Sequence, residues 1–424
     1  MRGRFARVAH SGGRHAPAAR AAGSVAPMGM LRWRDAVVVS VGRSWPGAVE
    51  LTARITGGGG GAGDEPRGEP VLSPGTEVRA LAYPDLVGDP GPGDRALLGV
   101  GALAGRLGTG GYATVIALPD HLPADPPPGP GHVVKARYTP MQAIVLGVDE
   151  QDSPHHRLLA EADDLPGTPV VVADLHSALP AILAGVACEA RRSGAEQPRV
   201  AYVMTDGGAL PAWFSRTVAT LRESGALAGT VTVGQAFGGD LEAVNVHTGL
   251  LAADRVLGAE VVVVAQGPGN LGTGTRWGFS GTAVGEALNA AATLRGRPVA
   301  AVRMSSADQR ARHRGISHHT VTALARVALA PADVVVPRFT TGDDLEASLP
   351  GGPEGFAAEV AGRLPETLAG RHRLVEVDTD GLADALRALP VRLSTMGRGL
   401  DADPASFLAA AAAGVHAARL LRMG

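Results

Sequence analysis

The chain of 424 residues carries 39 Lys and Arg against 41 Asp and Glu, and only 4% of its residues are aromatic. A formal charge of -2 and so few rings argue against a nucleic-acid partner, which needs a basic patch and stacking platforms. No stretch reaches the roughly 18 uninterrupted apolar residues of a membrane span, and the length predicts two or three domains.

Residues 1–29 contain Arg, Ala and Gly in abundance and no acid. They lack the continuous apolar segment of a secretory signal, so we expect a disordered leader. The single cysteine, Cys188, cannot form an intramolecular disulfide and lies in an apolar run, which predicts a buried thiol. Together with the absence of a membrane span, these features predict a cytoplasmic protein.

Residues 30–118 have the pattern of a small β-rich domain. Short β-branched runs separated by turn residues predict five strands, at 35–41, 47–55, 75–83, 95–104 and 111–118. Their spacing is typical of a small barrel or sandwich. The glycine run at 57–61 predicts a flexible hairpin insertion, and the proline-rich residues 119–132 predict an interdomain linker.

Residues 133–424 have the pattern of a second, larger domain, because apolar strand runs now alternate with helix-length segments. The predicted strands are 142–148, 168–175, 199–206, 229–236, 259–267, 297–305, 332–337 and 372–378. The predicted helices are 177–190, 211–224, 240–257, 281–294, 317–329, 353–361, 381–389 and 403–421. Continuous Val-rich strands are typical of a parallel sheet covered on both faces, so we expect an α/β/α sandwich with the last two helices at its edge.

Ligands of open parallel sheets bind beyond the carboxyl ends of the strands, and polar residues follow these strands. Carboxylates and imidazoles gathered there could act as acid, base or metal ligand. The predicted catalytic residues are Asp174, His176, Asp206, His318 and His319. Their spacing matches no Cys/His zinc pattern and no H-E-x-x-H motif, and one helix is expected to aim only one of two adjacent histidines at a given point. A divalent metal therefore stays an open alternative, and the cofactor is undetermined.

The glycine-rich segment 267–281 follows an apolar strand and precedes a helix, so its N–H groups could hold an anion. A literal G-x-G-x-x-G is present, but more loop precedes the helix than in a dinucleotide fold, and the next strand ends in Arg303 where such a fold has an acid. This argues against NAD(P). The predicted ligand-binding residues are Gly207, Gly208, Gln235, Gly267, Gly269, Asn270, Gly272, Thr273, Gly274, Thr275, Arg276, Arg303 and His313.

The runs "VVVADLHSALPAILAGV", "VVVAQGPGNLGTGTRWGFSG" and "RHRGISHHTVTAL" resemble the DUF3866 family, an uncharacterised bacterial domain of unknown function. The resemblance extends from Leu31 to the last helices. It implies kinship and supplies no mechanism.

Three functional hypotheses follow. The first is an enzyme, a hydrolase or group transferase, acting on a small anionic or phosphorylated metabolite. The second is a non-catalytic metabolite-binding or regulatory protein that uses the glycine loop and arginines, and the third is a structural protein; homo-oligomerisation is open in each. The enzyme hypothesis predicts that Asp174, Asp206 and a histidine meet in one cleft.

Overall fold

The structure is a computed structural model that describes residues 31–58, 72–108, 110–340, 343–364, 368 and 370–423. The predicted leader and the end of the glycine insertion, from residue 59 onward, lie outside the described residues. Within the described part of the chain, no helix combines the length and the apolar character needed to cross a membrane.

The N-terminal domain is a closed five-stranded barrel in the order β1-β2-β3-β5-β4. Its strands are β1 (Trp33–Trp45), β2 (Ala48–Gly58), β3 (Glu77–Ala82), β4 (Arg95–Gly99) and β5 (Ala113–Ala117). β3 and β5 pair in parallel and the other neighbours are antiparallel. The five predicted strands are confirmed, except that Gly101–Ala104 forms a helical turn (α2), as does Pro84–Val87 (α1).

The predicted strand at 142–148 is wrong as a member of the large sheet. β7 (Ala143–Val145) instead pairs with β6 (Val133–Lys135) in a separate antiparallel hairpin. The segment reaches the large sheet through one parallel bridge between Gly147 and Glu242, in which Val148 N donates to the Glu242 carbonyl oxygen at 2.7 Å. The reason is exposure: Ile144 is 71% exposed, whereas the central strands of the large sheet are buried on both faces.

The large sheet has eight strands in the order β11-β10-β9-β12-β8-β13-β16-β17, and every neighbouring pair is parallel. The strands are β8 (Pro169–Ala173), β9 (Val200–Thr205), β10 (Gly229–Thr232), β11 (Leu241–Glu242), β12 (Val261–Gln266), β13 (Arg297–Ala301), β16 (Asp333–Arg338) and β17 (Arg373–Asp378). A short hairpin, β14 (Met304–Ser305) with β15 (Gly315–Ile316), follows β13. The prediction of a parallel α/β domain is confirmed.

Helices cover both faces of this sheet. They are α3 (His156–Leu159), α4 (Leu179–Ser193), α5 (Arg216–Glu223), α6 (Val246–Arg255), α7 (Ala283–Thr293), α8 (His318–Thr322), α9 (Asp344–Ala347), α10 (Gly352–Ala361), α11 (Leu382–Arg387) and α12 (Pro404–Leu420). α6 and α7 pack together against one face, and α4 packs with α12 on the other.

The prediction that the last helix lies at the edge of the sandwich is wrong. α12 is buried at nearly every position and contacts β8, β13 and β16 in the middle of the sheet. Its approach to α4 is close because two glycines face the crossing. A Cβ added at Gly185 would lie 1.9 Å from the Ala411 carbonyl oxygen, and one at Gly414 would lie 2.0 Å from that of Ile182.

Trp213 joins the barrel to the sandwich. Its carbonyl oxygen accepts a hydrogen bond from Trp45 Nε1 (2.7 Å), and its ring packs against Tyr83 of the barrel and Phe237 of the sandwich. A Cβ at Gly47 would meet the same ring at 2.2 Å. The two domains therefore share an aromatic junction.

Candidate functional site

Asp174 directly follows β8 and is the centre of a buried ionic cluster at the carboxyl edge of the sheet. Its Oδ2 accepts a hydrogen bond from Arg303 Nη1 at 2.7 Å, and His319 Nδ1 lies 3.4 Å from the same oxygen. Burial alone would raise the pKa of Asp174, but the His319 hydrogen bond and the Arg303 charge lower it below its usual value. Asp174 is therefore a carboxylate at neutral pH. Arg303 follows the neighbouring strand β13, so strand adjacency brings the pair together.

A second carboxylate fixes the loop that carries the histidines. Asp403, fully buried at the start of α12, accepts hydrogen bonds from Ser305 Oγ, Ser306 N and Arg398 Nε at 2.7 to 2.9 Å. Asp308 pairs with Arg310, and this hydrogen bond, with burial opposing, lowers the pKa of Asp308. These bonds anchor the β14–β15 hairpin, whose loop contains His313.

Three histidines gather beside Asp174. One ring nitrogen from each of His313, His318 and His319 lies within 4.8 Å of the others. Adjacent histidines thus reach one point, contrary to expectation, because both sit in the first turn of α8 with ring centroids 4.5 Å apart. Burial, reinforced by neighbouring positive charges, lowers the pKa of His313 to about 3 and that of His318 to about 4. Both are neutral imidazoles at pH 7, a form that can accept a proton or bind a metal.

Polar atoms without partners mark this cluster. Asp174 Oδ1, Gln266 Oε1 and His318 Nε2 are buried and make no hydrogen bond. Gln266 ends β12, next to β8, and its Nε2 donates to the Asp174 carbonyl oxygen at 2.7 Å. Buried polar groups in folded proteins are nearly always bonded, so three orphans in one place point to a site for a polar ligand or water.

Sequence reasoning overlooked two members of this site. Gln266 could have been found as the only polar residue in the buried run "VVVVAQ". Phe279 stacks on His319 with ring centroids 3.8 Å apart, and no sequence signal indicates that contact.

The glycine-rich loop approaches the histidines but is partly closed on itself. Hydrogen bonds inside the loop occupy the N–H groups of Leu271, Thr273, Gly278 and Ser280. The exposed predicted residues are Gly269, Gly272, Thr273, Gly274, Thr275 and Arg276, and Asn270 is half-buried against Ser280. A Cβ at Gly272 would lie 3.9 Å from the His319 ring, so this part of the loop borders the histidine cluster.

Gly207, Gly208 and Gly267 have a packing role. A Cβ at Gly208 would lie 2.1 Å from the Gly267 carbonyl oxygen, and one at Gly267 would lie 2.3 Å from that of Ala209. A Cβ at Gly207 would meet Gln266 Oε1 at 2.5 Å. Glycine is required here because two strand-end loops touch through their backbones.

Asp206 and Gln235 lie apart from the Asp174 cluster. Asp206 follows β9, which is separated from β8 by β12, a distance of roughly 10 Å at the usual strand spacing. Its Oδ2 accepts the Gln235 N–H at 2.8 Å, and Gln235 Oε1 accepts the N–H of Arg137. The expected meeting of Asp174 and Asp206 is not found, because the strand order places their loops two strands apart.

His176 also leaves the cluster and faces the buried side of its loop. Its Nε2 lies 2.7 Å from Ser215 Oγ and its Nδ1 lies 3.0 Å from the Tyr202 hydroxyl. The Tyr202 hydroxyl donates to the backbone carbonyls of Ala265 and Gln266, so His176 Nδ1 carries the proton and Nε2 accepts from Ser215. Ser215 Oγ also accepts the Val218 N–H as the N-cap of α5. The histidine connects the end of β8 to a helix cap.

The burial of His176 should make the fold sensitive to acid. Burial lowers the pKa of His176 to about 4, whereas an unfolded histidine titrates near 6.5. Between these values the unfolded chain binds a proton that the folded chain does not. Stability is therefore complete above about pH 6.5 and falls towards pH 4, by up to about 3 kcal/mol. Urea unfolding at pH 7 and pH 5 should show a smaller difference for His176→Gln than for wild type.

The exposed His247 provides the matched control, since His247→Gln should keep the wild-type pH dependence. If the stability of His176→Gln depended on pH as strongly as that of wild type, burial of His176 would not be the cause of the acid sensitivity.

A cleft of about 840 Å³ lies between the barrel and the sandwich. It is lined by Arg43 of the barrel and by Trp213, Ser215, Arg216 and Arg222. Arg216 and Arg43 approach Glu50 at 3.8 and 3.4 Å, so part of their charge is balanced.

The fold and the cluster define a class: an α/β protein with an open parallel sheet and buried polar residues at the carboxyl ends of its central strands. The chain belongs to the DUF3866 family, described as a protein of unknown function, whose model matches residues 79–414. No curated protein and no solved structure matches the chain. The matched range begins inside the barrel, at β3, contains all eight strands of the large sheet and ends within α12.

Proposed function

We propose that the protein is a cytoplasmic hydrolase or group transferase that acts on a small anionic or phosphorylated metabolite at the carboxyl edge of its large sheet. The observation that carries the proposal is the coincidence of an ionised Asp174, a buried Arg303 and orphaned polar atoms in one place. Single orphaned oxygens also occur in other buried ion pairs, at Glu189 and Glu242, but here three orphaned polar atoms on neighbouring loops lie together. An incoming polar group would supply the missing partners.

The roles follow from charge and position. Arg303 supplies a planar guanidinium beside the site, the group best suited to carboxylates and phosphates. Asp174 holds His319 and balances Arg303, and the neutral imidazole of His318 accepts a proton from the attacking water or hydroxyl. Exposed N–H groups of the glycine loop would contact the anion.

Hydrolysis or transfer is favoured over redox chemistry. The helix after the glycine loop begins only at Ala283, beyond the last glycine of the G-x-G-x-x-G, so the loop does not place a helix N-terminus on a dinucleotide. The cytoplasmic location is supported by a single cysteine, Cys188, which is buried and unpaired.

The test is metabolite profiling with purified protein. Wild type is incubated with pools of phosphorylated and carboxylated metabolites, and mass spectrometry follows substrate loss and product gain. Asp174→Asn should lower the turnover rate at least about 100-fold, because the orienting charge is lost while size is kept.

The matched control is Asp333→Asn. Asp333 also pairs with a histidine and an arginine, His416 and Arg373, but it begins β16 and so lies at the amino edge of the sheet. This variant should lose stability and keep the turnover rate. If both variants lost turnover to the same extent, the loss in Asp174→Asn would result from impaired folding.

A second function, metabolite binding without turnover, is favoured by the interdomain cleft. Its arginines could hold an anion away from Asp174. In that case a metabolite would bind without being consumed, and binding would be lost in Arg216→Gln but kept in Asp174→Asn.

A further inference from the structure

We propose that His313, His318 and His319 form a binding site for one divalent transition-metal ion of the zinc class. The site goes beyond the proposed function, which needs no metal. An ion bound to His318 Nε2 would take over the role of that nitrogen as base, because such an ion lowers the pKa of a water bound to it. The place of the site beside Asp174 would put the ion next to the bound metabolite, but metal binding is measured without turnover, so that either claim can fail alone.

The first argument is convergence. The three ring nitrogens lie within 4.8 Å of one another. An ion bonded to all three at about 2.0 to 2.1 Å in tetrahedral geometry would hold them roughly 3.4 Å apart, so small rotations of the rings would complete the site. The three residues come from two elements, the turn Ala311–His313 and the first turn of α8. Three imidazoles are a donor set that suits zinc, cobalt, nickel and copper, and three protein ligands leave a coordination position open.

The second argument is the orientation of the rings. His313 Nδ1 lies 2.8 Å from Ser317 Oγ, so its Nε2 is the nitrogen left for an ion. His319 Nδ1 faces Asp174 Oδ2, and a proton on this nitrogen donates to the carboxylate and leaves Nε2 as a ligand. Metal-binding histidines characteristically use their second nitrogen in this way.

Arg303 constrains which nitrogen of His319 carries the proton. Its Nη1 lies 3.0 Å from His319 Nδ1 and 2.7 Å from Asp174 Oδ2. Metal binding at Nε2 requires Nδ1 to carry a proton, so Arg303 would then donate to Asp174 alone. Asp174 thereby becomes the positioning residue for a metal ligand.

The third argument concerns the unsatisfied nitrogen of His318. Its Nε2 is buried and makes no hydrogen bond. His372 Nδ1 shares this property, but His318, unlike His372, lies beside two further histidine rings. His176, elsewhere in the chain, has partners on both ring nitrogens. A metal bond would satisfy the orphaned nitrogen of His318.

The experiment is metal titration of the full chain after removal of bound metal with a chelator. Zn²⁺ affinity is measured by competition with a chromophoric chelator, stoichiometry by elemental analysis, and geometry by the visible spectrum of the Co²⁺ form. We expect one ion per chain and a tetrahedral Co²⁺ spectrum. His318→Gln should weaken Zn²⁺ binding by more than the 10- to 100-fold typical of an outer partner, and Asp174→Asn should fall within that range.

The control is the double variant His155→Gln/His156→Gln, which removes an adjacent histidine pair from another loop and should bind as wild type does. Circular dichroism of the metal-free variants establishes that they are folded; because His318 is only half-buried, His318→Gln is the variant that should fold. Absence of tight Zn²⁺ binding in wild type, or equal binding by folded His318→Gln, would overturn the proposal. Metal binding without metabolite turnover would uphold it and reject the proposed enzyme.

Discussion

Replacing Gly185 by alanine should lower the melting temperature by roughly 10 °C, the shift expected for a loss of about 3 kcal/mol in a domain of this size. The new Cβ would lie 1.9 Å from the Ala411 carbonyl oxygen of α12. This oxygen belongs to the helix backbone, so it cannot rotate out of the way as a side chain can. The helices must separate, which opens the packing between α4 and α12 at the middle of the sheet. Differential scanning calorimetry measures the effect directly.

Gly355→Ala is the matched control, because Gly355 also lies within a helix, α10, but is exposed. A Cβ there finds only the Pro350 carbonyl oxygen, at 3.8 Å. Alanine should then stabilise the helix by about 0.5 to 1 kcal/mol. If Gly185→Ala melted as wild type does, the close helix crossing would be wrong.

The crossing also illustrates what the sequence did and did not predict about the fold. Val-rich runs predicted seven of the eight strands of the large sheet, because strands buried on both faces need no polar alternation. Residues 403–421 contain the predicted helix, Pro404–Leu420, and its alanines and glycine are typical of a helix that is buried on all sides. Helix position depends on contacts with distant segments, and periodicity within one segment does not encode them.

The same limit applies to the site. Asp174 lies close to Arg303 and the histidines because β8 and β13 are neighbours in the sheet. The sequence predicts the loop after each strand, but it does not predict which strands are neighbours. Asp206 has the same local pattern as Asp174, yet β12 separates the two strands. His176 was predicted from its position two residues after Asp174, but the 3-10 turn His176–Ala178 directs it to Tyr202 and Ser215. Local pattern identifies candidates, and topology decides which of them meet.

Lys135 is a second position at which we expect a large effect. It is fully buried, donates to the carbonyl oxygens of Ala236 and Ala243 at 2.9 and 3.0 Å, and approaches Glu242 at 3.3 Å. Lys135→Met should cost about 3 to 5 kcal/mol, since it leaves a buried carboxylate without its cation and two carbonyls without a donor. Equilibrium unfolding in urea measures the loss.

A double-mutant cycle separates the ion pair from packing. Burial raises the pKa of Glu242 and the charge of Lys135 opposes that rise, so ionisation of the carboxylate depends on the lysine. Glu242→Gln in the Lys135→Met background removes that stranded charge and should recover about 1 to 3 kcal/mol. Arg54→Met provides the surface control, because its pair with Glu77 is half-exposed on the barrel and should contribute less than about 1 kcal/mol. If Glu242→Gln changed the stability of wild type and of Lys135→Met by the same amount, the ion pair would have no net coupling. Hydrogen bonds to the two carbonyls would then explain why a lysine is buried where the β6–β7 hairpin joins the sheet.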